Sequence, residues 1–298
     1  AWVYEREPRR WLHWLFARYL RIDEKAMSDA GRSLFRERTQ LFRVDSERRK
    51  DVVVALPDGQ RVRLPPTGAD GRSGARVVMQ PHDDSGWIAF SAVLPEGDTR
   101  HVEGRALRVP PQGWSVVSDI DDTIKHSHVL DRRELLLSTF TRPFHAVPGM
   151  AQRYRDFAGR DAGTRFHYVS TSPLQLLPAL TDFLTVAVFP EGSLHLREAT
   201  HWRDLLGSDE DTRKHKRDTI AHLLATFPQR RFILIGDSGE HDPDIYADLA
   251  RHHPGRIALI AIRRVDDSFD AQRREAVQRD TGPTRWLWFD EAAELMWP

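Results

Sequence analysis

Trp114-Ser-Val-Val-Ser-Asp119-Ile-Asp121-Asp-Thr123 is an apolar run that ends in acid. It reads as a buried strand closing on two carboxylates spaced by two. Residues i and i+2 of a strand point to the same side, so Asp119 and Asp121 are expected together. Two carboxylates side by side repel, and burying them is costly unless something compensates. A divalent cation or a chemical task is the usual compensation. The competing reading is a solvated acidic turn over Asp119, Asp121 and Asp122. A motif this short carries a real false-positive risk, and the solvated reading weakens with each partner motif found downstream.

Three further stretches share the design. Phe166-His-Tyr-Val-Ser170-Thr171-Ser172-Pro173 brings hydroxyls to the end of an apolar strand. Ser172-Pro173 reads as the N-cap and first residue of a helix, whereas Ser170, at the strand end, is the better phosphate ligand. Lys214-His-Lys216-Arg-Asp218 reads as the head of a helix with apolar spacing at Ile220, Leu223, Leu224 and Phe227. Cations at a helix N-terminus oppose the macrodipole. Lys216 therefore suggests a fixed charge aimed at a phosphate, the alternative being a solvated cluster. The chain has only five lysines against 39 arginines, so a lysine where chemistry wants one is less easily a coincidence. Phe232-Ile-Leu-Ile-Gly236-Asp237-Ser-Gly-Glu-His-Asp242-Pro243 is again a strand ending in acid, after a glycine that permits close approach. Asp237 and Asp242 are metal-ligand candidates, because hard divalent cations take carboxylate oxygens. Asp242, before Pro243, is also a good N-cap.

Around these motifs the chain changes character twice. Residues 1–48 read as a helical segment with an apolar stripe through Trp11, Trp14, Leu15, Phe16, Tyr19, Leu20 and Ile22. That stripe suits either a lipid interface or packing on the rest of the protein. Residues 49–112 read as a β-rich, sandwich-like module, with short runs at Asp51–Leu56, Gln60–Leu64, Ala75–Met79, Trp87–Leu94 and His101–Val109 separated by turn residues. From residue 113 to 298 strands alternate with helices. The expected fold there is α/β, a Rossmann-like parallel sheet with ligands at the carboxyl ends of its strands.

Composition narrows the function classes. At 298 residues, 40% hydrophobic and 30% charged, the chain is globular, and no stretch approaches the ~20 apolar residues of a membrane span. A formal net charge of zero argues against nucleic acid as a partner. The first fifty residues hold 13 Lys and Arg against 8 Asp and Glu, a local excess that suits an anionic surface or simply a solvated face. Without cysteine there is no thiol catalysis, disulfide or cysteine-based zinc site. A cytoplasmic or peripheral-membrane location is expected, and a removed leader before Ala1 stays open.

In order and spacing, the four motifs resemble the haloacid dehalogenase (HAD) superfamily of phosphotransferases. Ser118-Asp-Ile-Asp-Asp-Thr-Ile-Lys125, Tyr168-Val-Ser-Thr-Ser-Pro173 and Leu234-Ile-Gly-Asp-Ser-Gly-Glu-His-Asp-Pro-Asp-Ile-Tyr246 are similar to the actin-patch type of Mg²⁺-dependent phosphatidate phosphatase, a lipin-related family. The resemblance covers about half the chain. It implies an HAD-like catalytic domain with Asp119 as nucleophile, forming an aspartyl phosphate, and Asp121 as general acid and base. It further implies Mg²⁺ held by Asp119, the Asp121 backbone carbonyl, Asp237 and Asp242, with Thr123, Ser170, Thr171 and Lys216 around the phosphate.

The implied substrate is phosphatidate at a membrane surface. The insertions between motifs leave no room for a large cap, so an open site is expected, which suits a bulky substrate. Soluble or macromolecular phosphomonoesters, and a non-catalytic membrane or protein adaptor, are the rival functions. His126, His128, Arg142 and His145 are headgroup candidates or part of a solvated flap. Trp286-Leu-Trp-Phe289 with Trp297 reads as core or as a membrane-facing patch.

Overall fold

In the computed structural model, which describes residues 1–6, 10–20, 22, 26–79, 86–198, 208–265 and 269–298, the chain separates into two units. One unit takes Ala1–Trp14 and Gln40–Val109, the other Leu15–Thr39 and Pro110–Pro298. This division differs from the expected boundaries at 48 and 112. The larger unit resumes at Pro110, and residues 15–39 of the N-terminal segment belong with it.

The smaller unit contains a two-stranded antiparallel ribbon, β1 (Tyr4–Glu5) and β2 (Asp45–Ser46). It also contains an antiparallel sheet of β3 (Val53–Ala55), β4 (Arg61–Arg63), β5 (Trp87–Val93) and β6 (Glu103–Leu107), in the order β4-β3-β5-β6. Two expectations change. Residues 1–48 are not helical throughout, because β1 and β2 pair, with Trp2 against Tyr4 and its indole N–H on Ser46 Oγ. Residues 75–79 form no strand. Their alternation meets no face to bury, and Val78 is 90% exposed.

Helix α1 (Arg10–Tyr19) spans the division between the units, and α2 (Asp29–Arg38) follows in the larger one. Phe16, Leu20 and Ile22 are buried, and Phe16 packs edge-on against Phe140. From Leu15 onward the stripe therefore serves packing. Trp14 is exposed, while the Trp11 side chain lies outside the described residues.

The larger unit is built on a six-stranded parallel sheet. Its strands are β7 (Trp114–Ser118), β8 (Arg165–Pro173), β9 (Gly192–Arg197), β10 (Arg231–Asp237), β11 (Ile257–Arg263) and β12 (Arg285–Phe289), ordered β12-β11-β10-β7-β8-β9. Apolar runs without alternation are what strands covered on both faces require, and Val116, Val117, Phe232–Ile235 and Leu259–Ile262 are fully buried. Helices α3 (Arg132–Thr141) and α4 (Met150–Ala158) lie between β7 and β8, and α5 (Leu177–Val186) between β8 and β9. Then come α6 (Asp209–Thr226), α7 (Asp242–His252) and α8 (Ala271–Gln278). On β8, Phe166 stacks on Tyr154 of α4, while Val169 joins the cluster under α6 and α7, so alternate residues face opposite layers. Trp297 is buried against Phe157 and Tyr154, and Trp286 and Trp288 pack on the core. The closing aromatics are thus core.

The strand order reverses between β7 and β10. Connections run outward to β8 and β9, then cross to β10, β11 and β12. A crevice at such a switch point, beyond the carboxyl ends of the strands, is where open α/β sheets bind ligands.

Candidate active site

Register places the first two carboxylates. Ile235 pairs with Ser118, and the Asp119 N–H donates to the Ile235 carbonyl at 2.9 Å. Asp119 and Asp237 therefore leave adjacent strands side by side at the switch point. The Asp242 carboxylate comes back onto β10 from the first turn of α7, and its Oδ2 accepts the Asp237 N–H at 3.2 Å. A Cβ at Gly236 would lie 2.1 Å from that oxygen, so only glycine lets Asp242 approach. Ligand oxygens of Asp119, Asp237 and Asp242 lie within 4.8 Å of one another, all buried.

Lys216 is the counter-charge. Its Nζ lies 2.9 Å from Asp119 Oδ1, 2.5 Å from Asp242 Oδ1 and 3.0 Å from Glu240 Oε2. The Asp119 contact is electrostatic only, because Asp119 Oδ1 receives no hydrogen bond, and neither does buried Asp237 Oδ2. The other oxygens are satisfied: Thr123 Oγ1 donates to Asp119 Oδ2, and the Gly239 and Glu240 N–H groups donate to Asp237 Oδ1. Two orphaned, buried carboxylate oxygens facing a third carboxylate make a donor set of hard oxygens suited to a divalent cation.

Asp121 sits in a different field. Lys125 Nζ and Ser127 Oγ each donate to its Oδ1 at 2.6 Å, and Ser170 and Ser172 hydroxyls donate to its Oδ2 at 3.1 and 3.2 Å. A tight turn makes this possible. Asp122 adopts φ 50°, which aspartate tolerates better than most residues. Its carboxylate gathers the N–H groups of Ser127, His128 and Val129.

The two aspartates therefore diverge electrostatically. Burial pushes Asp119 well above the usual carboxylate range; Lys216 opposes this, and Asp242, Glu240 and Asp121 add to it. Burial, then Asp242 and Asp119, likewise raise Asp237. Burial also pushes Asp121 up, but the Lys125 charge and the donors from Lys125, Ser127 and Ser170 outweigh it and hold the group at about 2. Burial alone would discharge Lys216, yet Asp119, Asp242 and Glu240 keep it firmly protonated. With all five carboxyl groups ionised (Asp119, Asp121, Asp237, Glu240, Asp242) against two ammonium groups (Lys125, Lys216), the site would carry an excess of three negative charges, which a divalent cation would largely neutralise.

Residues 114–264 match the family model described as phosphatidate phosphatase APP1, catalytic domain. The chain belongs to this family. Over 168 residues it is 36% identical to phosphatidate phosphatase APP1 of Saccharomyces cerevisiae, covering 54% of this chain and 27% of that protein. Over 162 residues it is 35% identical to an uncharacterised protein of Schizosaccharomyces pombe, covering 53% of this chain and 26% of that one. The chain spans about a quarter of the length of the curated relatives it matches.

The family match contains every residue singled out from the sequence for the site, and the fold gathers most of them. Asp119, Asp121, Asp237, Asp242, Lys216 and Ser170 converge, and Thr123 puts its hydroxyl on Asp119. Thr171 lines the cavity beside Asp121, and its carbonyl accepts from Arg197. Three local readings need correction. Ser172 caps no helix, because β8 runs through Pro173 and α5 starts at Leu177 after a 3₁₀ turn; its hydroxyl serves Asp121 instead. Lys216 is not at the head of its helix. Ser208 caps α6 in a capping box with Asp211, so the first turn is acidic and no macrodipole conflict arises. Asp242 makes no side-chain cap, and its two oxygens go to Lys216 and the Asp237 N–H. His126, His128, Arg142 and His145 do not line the cavity beside Asp121, and Arg142 pairs with Glu134.

Lys125, Glu240 and Ser127 escaped the sequence reading. Lys125 had a signal: it is one of five lysines and lies inside the first motif.

Proposed function

We propose that this protein is a Mg²⁺-dependent phosphatidate phosphatase working through an aspartyl phosphate on Asp119. The observation that carries the reading is the Asp119 carboxylate at the end of β7, with one oxygen free of hydrogen bonds and the Lys216 ammonium 2.9 Å away. Asp119, the Asp121 backbone carbonyl, Asp237 and Asp242 would hold Mg²⁺, which when bound neutralises phosphate charge and keeps Asp119 ionised.

Asp119 attacks phosphorus while the bond from phosphorus to the leaving oxygen breaks. Asp121 gives that oxygen its proton, and diacylglycerol departs. The Asp121 carboxylate then takes a proton from water, which attacks phosphorus. The bond to Asp119 breaks, and inorganic phosphate leaves. The hydroxyl of Ser170 and the charge of Lys216 stabilise the phosphoryl oxygens. The Lys125 charge and the donors from Lys125, Ser127 and Ser170 favour the ionised form of Asp121, as the second half requires. An arriving phosphate dianion adds negative charge beside it and favours the proton needed for the first half.

Phosphatidate is presented at a bilayer surface, and exposed Trp14 supports contact with one. Among the described residues no helix is long and apolar enough to cross a membrane.

The test is phosphate release from a short-chain phosphatidate in micelles, with Mg²⁺ and with chelator, for wild type and Asp119→Asn. Release that needs both Mg²⁺ and Asp119 is expected. Equal release from Asp119→Asn would remove Asp119 as nucleophile. No release from phosphatidate alongside release from soluble esters would move the substrate away from lipids.

A further inference from the structure

A cavity of about 250 Å³ opens over Asp121, Lys216 and Asp242, and its sides differ in chemistry. Helix α6 lines it with polar groups, among them Thr212 and the Arg213 guanidinium, which donates to His241 Nδ1 at 2.7 Å. Another part of the wall is mostly apolar. Helix α3 lines it with Leu135, Leu136, Phe140 and the half-buried Thr139, the loop before it adds Val129, and the turn between β8 and α5 adds Leu176. Leu136, Phe140 and Leu176 are buried, whereas Val129 and Leu135 are half-buried.

We infer that this apolar wall is an alkyl-binding subsite that selects phosphomonoesters whose leaving group carries a hydrocarbon chain, with Val129 and Leu135 as specificity-determining residues. The inference rests on the phosphatase reading above. If Asp121 protonates the leaving oxygen, the first carbons of the leaving group lie over Asp121, inside this cavity. A polyhydroxylated leaving group would press its hydroxyls on a wall where only Thr139 offers a hydrogen bond, which is unfavourable. A hydrocarbon chain is stabilised there by each methylene taken from water, equivalent to about fourfold per methylene when the contact is complete. Apart from Leu176, the wall sits in the segment between the first two motifs, so it is part of the catalytic unit and needs no separate cap.

The experiment uses straight-chain alkyl monophosphates from ethyl to hexyl, below micelle-forming concentrations, with Mg²⁺ present. For the wild type, kcat/KM rises with each methylene, up to about fourfold per step. In Leu135→Gln the increment falls below about twofold per step. Val129→Thr, close in shape and on a different segment, reduces it as well, and a thermal melt checks that both fold. A flat wild-type series, or an increment unchanged in both variants, overturns the inference.

Binding of the matching alkylphosphonates, which are not hydrolysed, is followed by calorimetry. Affinity that rises with chain length while no ester is turned over would leave the subsite standing and sink the phosphatase reading. Turnover of every ester at one rate, with phosphonate affinity independent of length, does the reverse.

Discussion

Lys125 Nζ lies 2.6 Å from Asp121 Oδ1 in an ion pair nearly sealed from solvent, with the face of Phe144 4.7 Å from the same ammonium. Removing one partner of such a pair strands the other charge and costs about 3–5 kcal/mol. Lys125→Met is therefore expected to destabilise the fold by that order and to lower activity, because Asp121 loses the partner that orients it. Adding Asp121→Asn removes the stranded charge. The double variant should regain much of the stability while staying inactive. Urea unfolding of the four proteins checks this, and additive losses would count against the pairing.

Asp237 Oδ2 and Asp119 Oδ1 are buried site oxygens left without hydrogen-bond donors, which makes cation binding measurable as stability. At a cation concentration 100 times Kd the folded state gains about 2.7 kcal/mol, equivalent to roughly 5 °C or more in melting temperature. Asp237→Asn keeps an oxygen for the Gly239 and Glu240 N–H groups and removes one charge from the cluster. Its metal-free form is expected to melt higher than wild type, and its melting temperature should no longer respond to Mg²⁺. Thermal melts with chelator and with a Mg²⁺ titration decide it. An undiminished Mg²⁺ response in Asp237→Asn would place the cation elsewhere.

The parts of this site legible from sequence are those that local pattern controls. The run before Asp119 contains no polar interruption long enough to be anything but a buried strand, and Gly236 before Asp237 marked the close approach that Asp242 makes. What the pattern does not carry is contact across sequence. Ser172 looked like a cap because Pro173 follows it, yet the strand continues through both, since its hydroxyl has Asp121 to serve 51 residues away. The start of α6 lies at the capping box Ser208-Asp-Glu-Asp211, ahead of the basic cluster at Lys214, whose charges say nothing about where the helix begins. The N-terminal helices gave no sign of belonging to the catalytic unit. Arg38 donates to the carbonyls of Thr139 and Arg142 at 2.6 and 2.8 Å and lies 3.7 Å from the Phe144 ring, contacts about a hundred residues apart.

His167 lies buried across β7, β8 and β9, between Ser115 Oγ at 3.3 Å and Ser193 Oγ at 2.8 Å. Burial, with smaller pushes from His195 and Arg230, lowers it from 6.5 to about 3. The folded state therefore holds it neutral where the unfolded chain would protonate it. Its contribution to stability is complete above pH 6.5 and is lost as the pH falls toward 3. One proton corresponds to a slope of about 1.4 kcal/mol per pH unit. The unfolding free energy of wild type between pH 6 and pH 4 should fall more steeply than that of His167→Gln, by about one proton. Parallel slopes in the two proteins would mean that His167 is not buried neutral.

Val188 occupies the position after α5 that ordinarily takes glycine. Its N–H bonds the Thr185 carbonyl at 3.1 Å, and the Phe189 N–H bonds the Leu184 carbonyl at 2.9 Å, the paired closure of a Schellman motif. Phe189 packs on Phe183 at 5.9 Å, the apolar contact that usually accompanies it. The motif requires a left-handed residue, and Val188 sits at φ 58° while 58% exposed. A β-branched side chain is strained there and makes little compensating contact with the core. Val188→Gly relieves that strain but frees the unfolded chain, and these effects oppose each other. For a β-branched residue the strain is the larger, so the variant is expected to be more stable by about 1 kcal/mol, with activity unchanged. Urea unfolding measures the difference, and a loss of stability would show that the valine methyl groups contribute more by packing than the backbone loses by strain.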